Sequence, residues 1–236
     1  MMRLAPLTSL FRVPIVHSPP LRRWSLAAGN VNLCKSSFKI ILGSSSKARR
    51  QILSEMGYDF SILTADIDEQ SIRKDKPEDL VMALAQAKAD AIIARLGATG
   101  QLEEDAKVTL LITADTVVVY KGVVREKPTN EEEARTFIKG YSGDHAAVVG
   151  SILVTNLTTG IKKGAWERAE VYFHEIPDEI IDRLIEEGVT YNVAGGLMLE
   201  HPLTSPFVEA VVGDTDTVMG LSKVLTEKLI AEVQQV

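Results

Sequence analysis

Asp115 sits inside VTLLITADTVVVY, residues 108–120, an apolar and β-branched run that reads as a buried strand. No basic residue lies between Thr109 and Val119. A carboxylate buried there is costly unless it meets a cation or takes up a proton. Two readings stand. One is an aspartate that bonds backbone at a strand end. The other is an acid at the mouth of a cleft, holding a metal or activating a water. Arg125-Glu126-Lys127 follows a turn at Lys121-Gly122 that can fold charge back toward Asp115, which favours the second.

Other segments offer groups of matching chemistry. Gly43-Ser44-Ser45-Ser46 lies between a short apolar strand, Phe38 to Leu42, and a helical pattern with Ser46 as N-cap. That layout points backbone N–H groups and hydroxyls at an anion. Lys47, Arg49 and Arg50 are unfavourable against the positive end of a helix unless an anion sits among them. A solvated basic helix start is the alternative. Asp66-Ile67-Asp68-Glu69 crowds three carboxylates into four residues and is either a metal site or a solvated acidic loop. Lys88 interrupts the stripe Leu80, Leu84, Ile92, as a snorkelling side chain or as one reaching a buried anion. Glu200 ends a Gly-rich and then apolar stretch beside His201.

Together these are cations to grip phosphates and carboxylates to hold a divalent ion. The G-x-x-x-x-G-K-[ST] spacing of a Walker loop is absent, and no Ser-His-Asp spacing suggests a covalent intermediate. Direct attack of water on a phosphoanhydride is the simpler reading. A phosphoribosyltransferase or sugar-phosphate enzyme uses similar parts and remains the rival.

The elements that must position these groups alternate. Helical patterns open at Pro77, near Asn130 and at Pro177, and an amphipathic one closes the chain near Val233. Strand patterns fall at Tyr58 to Leu63, at Val123-Val124 and at Phe207 to Val212. His145 to Thr155 and Ile161 to Phe173 read as an antiparallel hairpin turning at Thr158-Thr159-Gly160. The expectation is a mixed α/β fold: an elongated mixed sheet flanked by helices, two lobes and a central cleft at the strand ends.

Composition narrows the class. Apolar content of 45% and charged content of 25% suit a globular domain, and no apolar run approaches a membrane span. Ahead of Ser37 the chain carries five cations and no acid, so residues 1–36 read as an organelle transit peptide or a disordered tail. Setting those five charges aside moves the net charge from −6 to −11, which argues against a general nucleic-acid surface. The single cysteine, Cys34, lies in that segment, and the four histidines show no zinc spacing.

From Phe38 onward the chain resembles the Maf-like family of nucleoside triphosphate pyrophosphatases. The resemblance rests on Ser44-x-Ser46-x-x-Arg49-Arg50, Asp66-Ile67-Asp68-Glu69 and Ala85-Gln86-Ala87-Lys88-Ala89. It continues through Ala114-Asp115-Thr116-Val117-Val118, Glu126-Lys127-Pro128, Ser142-Gly143, Ala194-Gly195-Gly196 and Met219-Gly220-Leu221. Each is weak alone; the order and spacing are specific. The resemblance implies a domain over 37–236 with an inosine triphosphate pyrophosphatase-like fold. It implies cleavage between the α and β phosphates of a nucleotide, with Mg²⁺ or Mn²⁺, in clearing unwanted nucleotides. The alternative it carries is a non-catalytic nucleotide-binding regulator of cell division. A homodimer without nucleic acid or membrane partners is the expected state. By the same likeness Asp115, Lys88 and Lys127 are the catalytic set, and Ser44, Ser46, Arg49, Arg50 and Glu126 face the substrate. Glu69, Asp115 and Glu200 lie at the metal. The chain departs from the pattern at Lys47, Ala48 and Val193, while Glu200 and the x-Arg-Arg spacing lean toward the branch acting on 7-methyl-GTP.

Overall fold

The computed structural model describes residues 38–99 and 108–235; the expected targeting segment 1–36, with Cys34, and most of the polar link before residue 108 lie outside them. Strand β1 (Phe38–Leu42) runs into helix α1 (Lys47–Glu55), then β2 (Phe60–Ile62) and the long helix α2 (Pro77–Thr99). Strand β3 (Val108–Tyr120) turns into β4 (Val123–Arg125), followed by α3 (Glu131–Tyr141) and the hairpin β5 (His145–Asn156) and β6 (Lys162–Phe173). Helix α4 (Asp178–Glu186), β7 (Val208–Val212), the short α5 (Thr215–Val218) and α6 (Lys223–Gln234) complete the order.

Local chemistry sets most of these boundaries. The Ser46 hydroxyl accepts from Arg49 N at 3.3 Å, the Asn130 side chain from Glu133 N at 2.9 Å and Ser222 from Leu225 N at 3.2 Å, so three helices begin on side-chain caps. Three glutamates occupy the first turn of α3, where the helix dipole favours them. The β5–β6 hairpin turns on Asn156, whose Oδ1 takes the amides of Thr158 and Thr159. Strand β2 is shorter than the alternating pattern from Tyr58 predicts. Tyr58 turns inward instead, with its ring 6.0 Å from that of Phe38 and its hydroxyl 2.7 Å from Glu227.

Among the described residues seven strands form one open mixed sheet in the order β2-β1-β3-β5-β6-β7, with β4 added beside β3. Strands β2, β1 and β3 are parallel, and the pairs from β3 through β7 are antiparallel. At about 3.3 Å per residue, β3 is roughly 43 Å long. Its two faces serve different cores. Leu110, Ile112 and Ala114 join β1, β5, α1 and α6 in one cluster, and Tyr120 joins α3, α4, β5 and β6 in another. Between them stands a polar waist, Thr116 opposite Gly150. On the other face α2 lies along the sheet, packing on Leu111 and Leu153 and then on Val117 and Val149. Asp115 points to this face.

The edge of β3 that receives β1 is left open in the middle. Pairing with β1 ends at Ile112, and pairing with β4 starts at Val118. Among the described residues, 113–117 therefore have no strand partner on that side. The turn after β1 stands at one end of the gap, where Gly43 N donates to Ile112 O at 2.8 Å. Glu126, Lys127 and Pro128 follow β4 at the other. A gap beyond the carboxyl end of a parallel strand is where ligands enter sheets of this kind.

Candidate active site

Asp115 is 7% exposed and Lys88 9%, and the Lys88 ammonium donates to Asp115 Oδ1 at 2.6 Å. Lys88 also lies 3.0 Å from Glu69 Oε1. A helix, a strand and a 3₁₀ turn thus deliver one cation and two carboxylates to one point. Of the two readings of Lys88, the structure selects the lysine that reaches a buried anion. Burial pushes the Asp115 carboxyl above the ordinary aspartate range; Lys88 and Arg49 pull it back, and the charge on Glu69 adds to the rise.

The turn after β1 supplies the next layer. Ser44 Oγ accepts from Ser46 N and from Arg49 Nη1, both at 3.2 Å. Ser46 Oγ accepts from Arg49 N. Neither hydroxyl donates to another group among the described residues, so each keeps its O–H for an outside acceptor. Arg49 reaches further in. Its guanidinium donates to Ser44 Oγ, to Ala114 O at 3.0 Å, to Thr116 Oγ1 at 2.9 Å and to Gly220 O at 2.9 Å. Four of its five N–H groups are held by protein, and it lines the gap in β3 at Ala114 and Thr116, next to Asp115. Burial lowers its pKa, opposed by Asp115 and Glu69. Arg50 is different: the one hydrogen bond of its guanidinium among the described residues is a long one, Nε to Ser46 O at 3.4 Å.

The far end of the gap is less tightly built. Lys127 is exposed and makes no hydrogen bond or ion pair among the described residues. The Glu126 carboxylate meets Arg73 at 3.2 Å, and its carbonyl accepts from Gly195 N at 2.9 Å. Gly195 has φ +67, and a Cβ there would stand 2.7 Å from Val118 and 2.9 Å from the Tyr141 hydroxyl, which itself donates to Gly195 O. The Ala194-Gly195-Gly196 turn is thereby locked behind Glu126. Glu200 is exposed, and among the described residues it has no bond to Glu69, Lys88 or Asp115. The structure therefore gathers Ser44, Arg49, Glu69, Lys88 and Asp115, sets Ser46 and Arg50 beside them, and keeps Lys127 and Glu126 beyond the gap.

Asp115 Oδ2 and Glu69 Oε2 have no hydrogen-bond partner among the described residues, although Lys88 holds the other oxygen of each. Two free carboxylate oxygens fit a hard divalent cation. No group of three His, Asp or Glu is gathered for a metal among the described residues, so an ion here would complete its shell with substrate and water.

Three residues were not visible as candidates in the sequence. Thr113 and Ser151 anchor α2, and Arg73 holds Glu126. Alternation with Asp115 is a trace of Thr113; Ser151 and Arg73 carry no local signature, because register and loop path bring them in.

The chain matches a family described as Maf-like protein over residues 39–233. It is similar to a 7-methyl-GTP pyrophosphatase of Dictyostelium discoideum, 38% identical over 200 residues, covering 85% of this chain and all of that protein. A dTTP/UTP pyrophosphatase of Alkaliphilus metalliredigens is 34% identical over 183 residues, 78% of this chain and 90% of its own length. A nucleoside triphosphate pyrophosphatase of Salinispora tropica is 30% identical over 195 residues, 83% of this chain and 84% of its own. A match spanning nearly the whole described fold, with these relatives beside it, means that the chain belongs to the family of Maf-like proteins.

Proposed function

We propose that this protein is a nucleoside triphosphate pyrophosphatase: water attacks the α phosphorus, the bond to the β phosphate breaks, and a nucleoside monophosphate and pyrophosphate leave. The observation that carries this is the Lys88–Asp115–Glu69 cluster beside the open edge of β3. Relatives named as pyrophosphatases over the same length support it. Asp115, a carboxylate whose pKa burial raises, holds the attacking water and takes its proton. Lys88 fixes that carboxylate and compensates its charge. The free hydroxyls of Ser44 and Ser46 donate to phosphate oxygens, and Arg50 and Lys127 neutralise the departing pyrophosphate from opposite ends of the gap. Arg49 holds the wall on which Asp115 stands.

Glu69 and Asp115 would hold a Mg²⁺ or Mn²⁺ ion, which when bound supplies positive charge to the phosphate oxygens. Glu200 is exposed and stands apart from that pair among the described residues. We place the preferred substrate among 7-methylated guanine nucleotides, because the relative of that name matches end to end. The test is a panel of 7-methyl-GTP, GTP, dTTP, UTP and CTP with each metal, assayed for pyrophosphate. The expected result is pyrophosphate from a triphosphate, fastest from 7-methyl-GTP. Binding without pyrophosphate from any nucleotide would point to the non-catalytic regulator.

A further inference from the structure

We propose that Thr113 and Ser151 are positioning residues for this reaction, pinning α2 so that Lys88 meets Asp115; this rests on the functional reading above. Both side chains are buried to within 1% of full enclosure. Thr113 Oγ1 donates to Ala85 O at 2.8 Å, and Ser151 Oγ donates to Val81 O at 2.7 Å. Thr113 precedes Asp115 by two residues and shares its face of β3. Ser151 is the register partner of Asp115 on β5. On the helix, Val81, Ala85 and Lys88 are spaced by four and three and form one stripe. Three polar links therefore join α2 to the sheet in line: Ser151 to Val81, Thr113 to Ala85, and Asp115 to Lys88.

Apart from an exposed ion pair at the rim, Lys162 of β6 to Asp90 of α2 at 2.7 Å, the rest of that contact is apolar. Leu111, Val117, Val149 and Leu153 face Val81, Leu84, Ala85, Ala89 and Ile92. Apolar contacts are non-directional, so they set the height and rotation of a helix less sharply than hydrogen bonds do. A roll of one residue turns a side chain by about 100° and takes Lys88 off Asp115. Stability does not call for the hydroxyls. A buried hydroxyl is costly unless bonded, and a bonded one roughly offsets that cost. What the two bonds add is height and rotation, since a hydrogen bond tolerates only a few tenths of an ångström.

The test uses the full chain with Thr113→Val, Ser151→Ala, the double variant and the rescue variant Thr113→Ser. Pyrophosphate release from 7-methyl-GTP, dTTP and UTP gives kcat and KM, and amide hydrogen exchange reports protection along 81–88. In the double variant kcat falls by roughly tenfold or more, because ångström-scale misplacement costs up to ~10²-fold, while KM stays within about threefold. Exchange along 81–88 quickens, and Thr113→Ser returns kcat toward wild type where Thr113→Val does not. A lower melting temperature with kcat and exchange unchanged overturns the proposal and leaves the hydroxyls as packing. If the double variant does not fold, each single variant deletes one bond and carries the same readouts. If wild type releases no pyrophosphate from any nucleotide, the functional reading fails instead. The brace is then decided by exchange alone, and unchanged protection along 81–88 overturns it.

Discussion

Lys88 Nζ donates to Asp115 Oδ1 at 2.6 Å across the joint between α2 and β3, although 27 residues separate the two in the chain. The same ammonium lies 3.0 Å from Glu69 Oε1. One buried lysine thus compensates two carboxylates from different segments. Removing the Asp115 charge leaves Lys88 with Glu69 as a partner, so the fold can tolerate the change.

Asp115→Asn keeps the shape of the side chain and removes its capacity to take a proton. Turnover should fall by at least ~10²-fold, the scale of a lost general base. Pyrophosphate release and a thermal melt, run on one preparation, check both halves. Near-normal turnover takes Asp115 out of the mechanism.

Arg49 and Arg50 are neighbours with opposite duties. Arg49→Lys replaces a fork that serves Ser44, Ala114, Thr116 and Gly220 with a single ammonium, leaving buried acceptors unmet. A stability loss of about 2 kcal/mol follows, with a fall in turnover. Arg50→Ala should change stability by no more than about 0.5 kcal/mol and raise KM for the nucleotide. Urea titration and steady-state kinetics separate the two, and equal losses of stability contradict the assignment.

Two glycines of left-handed backbone should respond differently to alanine. At Gly195, φ is +67 and the new Cβ meets Val118 at 2.7 Å. At Gly122, φ is +79 with open space around it. Gly122→Ala should cost about 1 kcal/mol of backbone strain, and Gly195→Ala clearly more, about 3 kcal/mol, because overpacking adds to the strain. Denaturation midpoints settle the order.

Asp144 gives a pH signature away from the site. The His145 amide first, then the Tyr120 hydroxyl and Lys121, hold its carboxyl down at about 2. That lies below the unfolded aspartate value of about 3.9, so its ionised form favours the folded state above that pH. The contribution is lost as pH falls through about 2. Asp144→Asn should therefore lower the urea midpoint at about pH 6, with the gap to wild type closing between about pH 4 and 2. A gap that is constant with pH removes the carboxylate from the account.

Much of the fold is legible in the chain. The run VTLLITADTVVVY is β3 to the residue, Ser46 caps α1, and Pro77 opens α2. Such features depend on alternation, caps and backbone restriction acting within a few residues, so a linear reading recovers them. The sequence also determined which residue types were available: an acid in an apolar strand, a lysine in an apolar stripe, serines and arginines at a helix start. The tertiary structure decided which of these meet. It chose Lys88 as the partner of Asp115, set Arg49 into the wall and left the Arg50 guanidinium with a single long bond to Ser46 O beside it, and drew Thr113 and Ser151 onto α2. It also ended the pairing of β1 at Ile112 and started that of β4 at Val118, which leaves the gap beside Asp115. Those choices come from strand register and helix packing between segments far apart in sequence. Their energies arise from surfaces that exist only once the chain has folded.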